Sequence, residues 1–192
     1  VAPREFCLFN ANEKPFIEVK EKFEGGAKGV CLPIQLQPGT IGGFELVLYS
    51  PQTNGFKFTN ANTLVAKDTF ENIKSDFSSD VQIHANSRRG EVRIAKLNTI
   101  NSIPGSAFHR GAINLSELEL SYHADPAEIL PKIETFVVSY GDKQGKSNEL
   151  SLQPKPAGLE LENVIFAEEV SQGDVICPLS FQLKNTGDSS LH

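Results

Sequence analysis

Histidine and cysteine side chains could bind a metal ion or act as nucleophiles, and the chain has four of the first and three of the second. A zinc site needs three or four converging ligands. No histidine lies two or four residues from another, so the spacing assembles no such site. The sequence therefore predicts no metal centre, and we expect each histidine on the surface. They are His84, His109, His123 and His192.

The three cysteines, Cys7, Cys31 and Cys177, each lie in an apolar, strand-like stretch without metal-ligand spacing. Free cysteine is among the most buried residue types, so buried thiols are the simplest expectation. A disulfide between Cys7 and Cys31 is the alternative, and it would leave Cys177 unpaired.

Paired carboxylates are the other pattern with catalytic potential. Glu117 and Glu119 would share one face of a strand, as the two carboxylates of a glycosidase must. Alternation already explains them as the solvated side of that strand, which is the preferred interpretation. The oxygen-rich segment 142–149 lacks the spacing of an EF-hand loop. Because the sequence also lacks a nucleophile elbow, a phosphate loop and a dinucleotide fingerprint, it predicts no enzyme activity and no cofactor.

The net charge and the hydropathy of the chain limit the classes of partner that it can bind. A net charge of −6 over 192 residues argues against nucleic acid, which needs clustered Lys and Arg. No apolar run approaches the roughly 18 residues of a membrane helix. The chain starts "VAPREF" without Met, which suits a mature exported protein, so we expect a secreted or cell-surface location.

The elements that must position any site are short strands, because apolar residues recur with period two along most of the chain. The predicted strands are 16–23, 29–39, 41–49, 81–85, 90–97, 113–122 with a slip that indicates a bulge or break, 133–140 and the end of 141–152. Asn54-Gly55 predicts a hairpin after 41–49. About nine short strands separated by turns indicate a two-sheet antiparallel β-sandwich.

Helical signals are weak, and one segment divides the chain. Residues 62–77 have mixed apolar spacings that predict at most one or two helical turns. The stretch "QPKPAG" (153–158) has the composition of a linker. We therefore divide the chain into a sandwich at 1–154 and a linker with C-terminal strands at 155–192. Those strands either pack on the sandwich or begin a second, Ig-like unit.

Several stretches resemble a known family. "GGFELVLYSP" (42–51) is similar to a strand of cohesin domains, "NSRRGEVRIAKLN" (86–98) to a later cohesin segment, and "LSELELSYHAD" (115–125) takes the place of the strand after it. "IETFVVSYGDKQGKSNELSLQ" (133–153) resembles the closing hairpin. The resemblance covers about 14–154. It implies a nine-stranded jelly roll that binds a dockerin-type protein partner with one sheet face, formed here by 44–49, 81–86, 91–97 and 133–138. Ser50 departs from the family, which often has Asp there.

Alternation assigns the outward side chains of that face. With Phe44, Leu46 and Leu48 inward, the opposite positions of the same strand point out, and the strands at 81–86 and 91–97 follow the same rule. A plain solvated face is the alternative, and a one-residue slip would exchange the two sides. The predicted partner-binding residues are Glu45, Val47, Tyr49, Gln82, His84, Asn86, Arg93 and Ala95.

The leading functional prediction is a non-catalytic protein-binding module of an extracellular or cell-surface assembly. A carbohydrate-binding module shares the architecture, but sugar platforms rely on exposed aromatic rings. The chain has no Trp and three Tyr, and most of its 13 Phe occupy inward positions. A structural spacer or adhesin module is the third possibility.

Overall fold

The computed structural model describes residues 7–165 and 180–187. In this part of the chain, short strands alternate with turns, and two single-turn 3-10 helices span Ala95–Leu97 and Gly105–Ala107. The strands are β1 (Glu18–Lys20), β2 (Lys28–Val30), β3 (Ile41–Val47), β4 (Gln52–Thr53), β5 (Thr63–Asp68), β6 (Val81–Ala85), β7 (Glu91–Ile94), β8 (Thr99–Ile100), β9 (Ser102–Ile103), β10 (Ala112–Asn114), β11 (Leu120–His123), β12 (Lys132–Glu134), β13 (Phe136–Tyr140), β14 (Lys143–Lys146), β15 (Leu150–Gln153), β16 (Leu159–Ile165) and β17 (Ser180–Asn185).

One group of strands is ordered β10-β5-β3, and another is ordered β14-β13-β6-β9. The two meet where β14 runs beside β3, because Leu46 and Ser147 form a parallel bridge. The approach is close: a Cβ on Gly145 would overlap the backbone of Phe44. Glycine at this position therefore lets β14 join the two groups side by side.

The remaining strands of the main body are ordered β11-β7-β8 and β12-β15-β4. Residues 55–58 extend the first of these groups, since the Phe58 N–H donates to Leu120 O at 2.6 Å. The chain crosses from β3 to β4 at Ser50, whose hydroxyl oxygen accepts the Ser151 N–H at 3.0 Å. Among the described residues, the strands pair antiparallel except that β4 runs parallel to β15 and Leu46 forms the parallel bridge with Ser147.

The core lies between the groups β10-β5-β3 and β14-β13-β6-β9 on one side and β11-β7-β8 and β12-β15-β4 on the other. Its side chains come from alternate positions of the strands, as the sequence pattern predicts. Phe44, Leu46 and Leu48 are buried, as are Val81, Ile83, Val92 and Ile94. Phe77 connects β3, β13 and the second 3-10 helix, because its ring makes edge contacts with those of Phe44, Tyr140 and Phe108. The all-β, sandwich-like fold is confirmed, while the jelly-roll order of the strands stays a prediction.

A buried network of charged side chains lies among β11, β12 and the residues between these two strands. Lys132 Nζ donates to Glu128 at 2.6 Å and to Glu134 at 2.8 Å. The Tyr122 hydroxyl donates to the backbone carbonyl of Arg89 and lies 3.1 Å from Glu128 Oε2. Lys132 Nζ is also 5.6 Å from the centre of the Tyr122 ring, within the range of a cation–π contact.

Two hairpins outside the core keep apolar side chains exposed. β1 pairs with β2, and Val19 and Val30 both remain exposed. β16 pairs with β17, which confirms the predicted C-terminal strands. Leu161 and Leu183 lie opposite each other in that hairpin, and both are exposed.

Several local predictions are wrong. The strand β5 within 62–77 was not predicted, although the absence of a helix there agrees with the expectation of at most one or two turns; Leu64, Ala66 and Asp68 are buried at alternate positions of β5. The predicted strand 29–39 is a strand only as far as Val30, and 16–23 only over 18–20. A turn forms at Asn54-Gly55, but β3 pairs with β5 instead of the chain after that turn. The slip in 113–122 is a break, since β10 ends at Asn114.

None of the helices in the described residues has the length and apolar composition needed to cross a membrane.

Candidate functional site: the outer face of β3, β5 and β10

The outward side chains of β3 are placed as predicted. Glu45, Val47 and Tyr49 are exposed, at 46% for Val47 and 45% for Tyr49, while the intervening residues fill the core. Val47 lies opposite Thr63 of β5, and Glu45 lies opposite Val65. This outer side of β3, β5 and β10, called the β3–β5–β10 face below, therefore mixes apolar, aromatic and charged groups.

A groove of about 650 Å³ runs along this face. Its floor comes from alternate residues of β5, and β10 adds Ala112 opposite Val65 and Asn114 opposite Thr63. His109 is exposed at its edge. The side chains that define the groove include Thr63, Val65, Ala112, Asn114, Ser116 and Glu117.

A buried amide holds one end of the groove in place. The Asn62 side chain accepts the Tyr49 N–H at 2.9 Å and donates to Asn60 O at 3.0 Å. The Asn62 N–H donates to Ser116 Oγ at 2.9 Å, and that hydroxyl donates in turn to Asn60 O. Sequence reasoning missed Asn62. The polar pair Asn60 and Asn62 before a strand was the available signal, since such residues commonly bond nearby backbone.

An ion pair flanks the apolar centre of the face. Lys67 Nζ lies 3.1 Å from Glu45 Oε2, and the Glu45 side chain is 55% exposed. A half-exposed pair of this kind adds little stability. It does supply the polar rim that usually surrounds an interface centre.

The predicted residues on β6 lie elsewhere in the sheet. Gln82 and Asn86 are exposed, and His84 is half-buried. β14 and β13 separate β6 from β3, so at about 4.8 Å per strand the two sets are about 14 Å apart. Burial, and then the nearby Arg88 charge, lower the pKa of His84, so the imidazole is neutral at pH 7.

Arg93 and Ala95 belong to a third surface. Arg93 is in β7, in the group β11-β7-β8, and Ala95 begins the 3-10 helix that follows. Both are exposed and border a separate cavity of about 430 Å³. The eight predicted residues therefore do not form one face, and the role of each in partner binding stays a prediction.

The other chemical candidates have simple structural surroundings. Glu117 and Glu119 do not share a strand face, because both lie in the turn between β10 and β11; Glu117 instead accepts the Asn114 side-chain N–H at 2.7 Å. Among the described residues, no cluster of His, Cys, Asp and Glu could hold a metal ion. His123 is half-buried, and His192 lies outside those residues.

Cys7 and Cys31 are exposed free thiols, so the buried-thiol prediction is wrong for both. They lie in the N-terminal extension, which packs little against the core, and this explains their exposure. Cys177 lies outside the described residues.

Comparison with known proteins supplies no relative. No protein-family model, curated protein or solved structure matches this chain.

Proposed function

We propose that the chain is a non-catalytic protein-binding module of an extracellular or cell-surface assembly and that its β3–β5–β10 face binds the partner. One observation carries the proposal: Val47 and Tyr49 are exposed, and Val47 lies opposite Thr63, which lines a groove of about 650 Å³. Aromatic side chains are enriched at interface centres, and a polar rim usually surrounds them. Glu45 and Lys67 supply such a rim.

The resemblance to cohesins suggests a dockerin-type partner, which is a small helical module that depends on calcium. The groove suits the protein partner better than a sugar chain. Its described lining residues between 60 and 117 include no Phe, Tyr or Trp on which a sugar ring would stack. Tyr49 at the edge offers one such ring.

The test is capture from the secreted proteins of the source organism, with the chain immobilised in calcium and eluted by a chelator. A captured protein is then purified and its affinity measured by calorimetry. The double substitution Val47→Asp, Tyr49→Ala is expected to weaken binding at least tenfold, since it removes the aromatic anchor and places a charge at the interface centre.

Ile133→Asp is the matched control, because Ile133 is exposed on β12, in another strand group. This variant should bind like the unsubstituted chain. Equal affinities for the double variant and the unsubstituted chain would refute the proposed face. Retention on insoluble polysaccharide without protein capture would favour a carbohydrate-binding module, and failure of both would favour a spacer or adhesin.

A further inference from the structure

The cavity of about 430 Å³ beside Arg93 lies on the outer side of β7, β8 and β11. The backbone register sets its side chains in a row. Ser121 of β11 lies opposite Arg93, and Ile100 of β8 lies opposite Arg93 on the other side. Ser121 is nearly buried at the floor, whereas Ile100 is exposed. The cavity thus combines a guanidinium, a hydroxyl and an apolar side chain on three neighbouring strands.

A second cation extends the row. Lys57 forms a bridge with Ser121 on the side away from Arg93, and its side chain is exposed. The neighbouring Phe58 is buried, so Lys57 faces the same outer side as Ser121. Lys57 itself lines a neighbouring cavity together with Pro51 and Phe56, so it places a second positive charge next to the cavity beside Arg93 and not on its rim.

One carboxylate partly offsets this charge. Arg93 Nε and Nη2 both donate to a single oxygen of Glu91, at 3.2 and 3.0 Å. Within the described part of the chain, Nη1 of Arg93 has no hydrogen-bond partner. Lys57 and Arg93 together outweigh Glu91 by one positive charge. Glu91 also fixes the guanidinium in place, which reduces the side-chain entropy that a ligand would have to overcome.

The Ser121 hydroxyl lies close to the imidazole of His123, which can either donate or accept a hydrogen bond. Ser121 Oγ lies 3.3 Å from His123 Nε2, and the imidazole tautomer sets which of the two donates. The hydroxyl also lies 3.5 Å from the backbone oxygen of Arg93, a long contact that a closer anion would replace, while His123 Nε2 can donate to the hydroxyl oxygen.

We propose that this cavity binds the carboxylate of a small acidic ligand, of about monosaccharide size, through Arg93 and Ser121. Guanidinium and hydroxyl donors are the groups that recognise carboxylates, and Ile100 contacts the ligand's less polar part. Because Glu91 competes for Arg93, the expected dissociation constant is on the order of 1 mM. The cavity lies away from the β3–β5–β10 face, so this proposal and the proposed protein binding succeed or fail separately.

The test is a titration of the full chain in which NMR records the shifts of the backbone amide signals. The probes are D-glucuronate, the neutral analogue D-glucose, and acetate. Glucuronate should give saturable shifts at Arg93, Ser121 and His123, and glucose should give none. Acetate shifts at the same residues would show that the carboxylate suffices. Shifts with glucuronate alone would show that the ring contributes, and both results support the proposal.

Arg93→Gln should weaken glucuronate binding about tenfold or more, because it removes the charge-assisted hydrogen bonds. Arg110→Gln, an exposed arginine beside β10, is the control and should bind normally. Ser121→Ala gives a second variant if Arg93→Gln changes the dispersion of the spectrum. The proposal is overturned by unsaturable shifts, by an equal response to glucose, or by unchanged affinity in the folded variants.

Discussion

Substitution of Lys132 by Met tests whether the buried charged network stabilises this fold through its charges. The Lys132 side chain is 18% exposed, and those of Glu128 and Glu134 are each 6% exposed. Burial alone would lower the pKa of Lys132, but its hydrogen bonds to the two carboxylates raise it. Methionine keeps much of the length and removes the charge, so two buried carboxylates lose their cation.

The expected loss follows from the groups that remain. Removing one partner of a buried ion pair typically costs about 3–5 kcal/mol. Glu134 keeps the Thr135 N–H at 3.0 Å and the Ser87 N–H at 3.4 Å. These bonds place the loss at the lower end, about 3 kcal/mol. With a urea dependence of about 2 kcal/mol per molar, the unfolding midpoint should fall by about 1.5 M.

The dependence of this loss on pH separates charge from packing. Burial alone would raise the pKa of Glu134, but hydrogen bonds led by that from Lys132 hold it below the ordinary 4.5. In the unsubstituted chain, this carboxylate therefore contributes stability above pH 4.5, and the contribution is lost as pH falls through the lowered pKa. In the Lys132→Met variant, burial becomes the dominant influence and the pKa of Glu134 rises. Protonation of Glu134 at low pH then removes a buried unpaired charge, so the variant loses less stability there. The stability difference should be largest near pH 7 and shrink toward pH 4.

Urea unfolding followed by circular dichroism at both pH values measures this difference. Lys143→Met is the matched control, because Lys143 pairs with Asp142 at an exposed site and should change stability by less than about 0.5 kcal/mol. Adding Glu128→Gln and Glu134→Gln to Lys132→Met should recover most of the loss. A loss below about 1 kcal/mol, or one that does not vary with pH, would refute the electrostatic account.

Four further predictions concern single residues. Tyr122→Phe removes the hydroxyl that donates to Arg89 O and should cost about 1–3 kcal/mol in urea unfolding. In the unsubstituted chain, burial raises the pKa of Tyr122 to about 12, which an ultraviolet titration should detect. Arg93→Gln should raise the pKa of His123, measured by NMR, yet leave it below 6.5, because burial is the larger cause of its lowering. Gly145→Ala should destabilise the fold by about 1–3 kcal/mol, since its Cβ would overlap the β3 backbone.

Much of the strand pattern could be predicted from the sequence because it depends on local alternation. The segment 81–85 coincides with β6, and Phe44 and Leu46 are buried as expected. The segment 62–77 was not predicted as a strand because the apolar residues after β5 lie in turns, and they obscure the period of two within β5. Buried Asp68 conceals that period further, since its carboxylate binds backbone N–H groups instead of water.

The candidate site was less predictable, because a face depends on which strands are neighbours. Alternation gives the direction of Arg93 and of Val47, but it carries no information about sheet order. That order comes from pairings between residues far apart in the chain, such as Leu46 with Ser147. Asn62 shows the same limit: its backbone N–H meets Ser116, 54 residues away.

The C-terminal hairpin is a weaker recognition surface than the two grooves. Leu159, Leu161, Phe181 and Leu183 lie on one side of it and are 50–61% exposed. Fully burying such a side chain is worth about 1.5–3 kcal/mol, so burying the exposed half of four yields about 4 kcal/mol. Association costs at least about 4 kcal/mol in lost translational and rotational freedom. The apolar side chains of this hairpin alone therefore leave little surplus for stable binding.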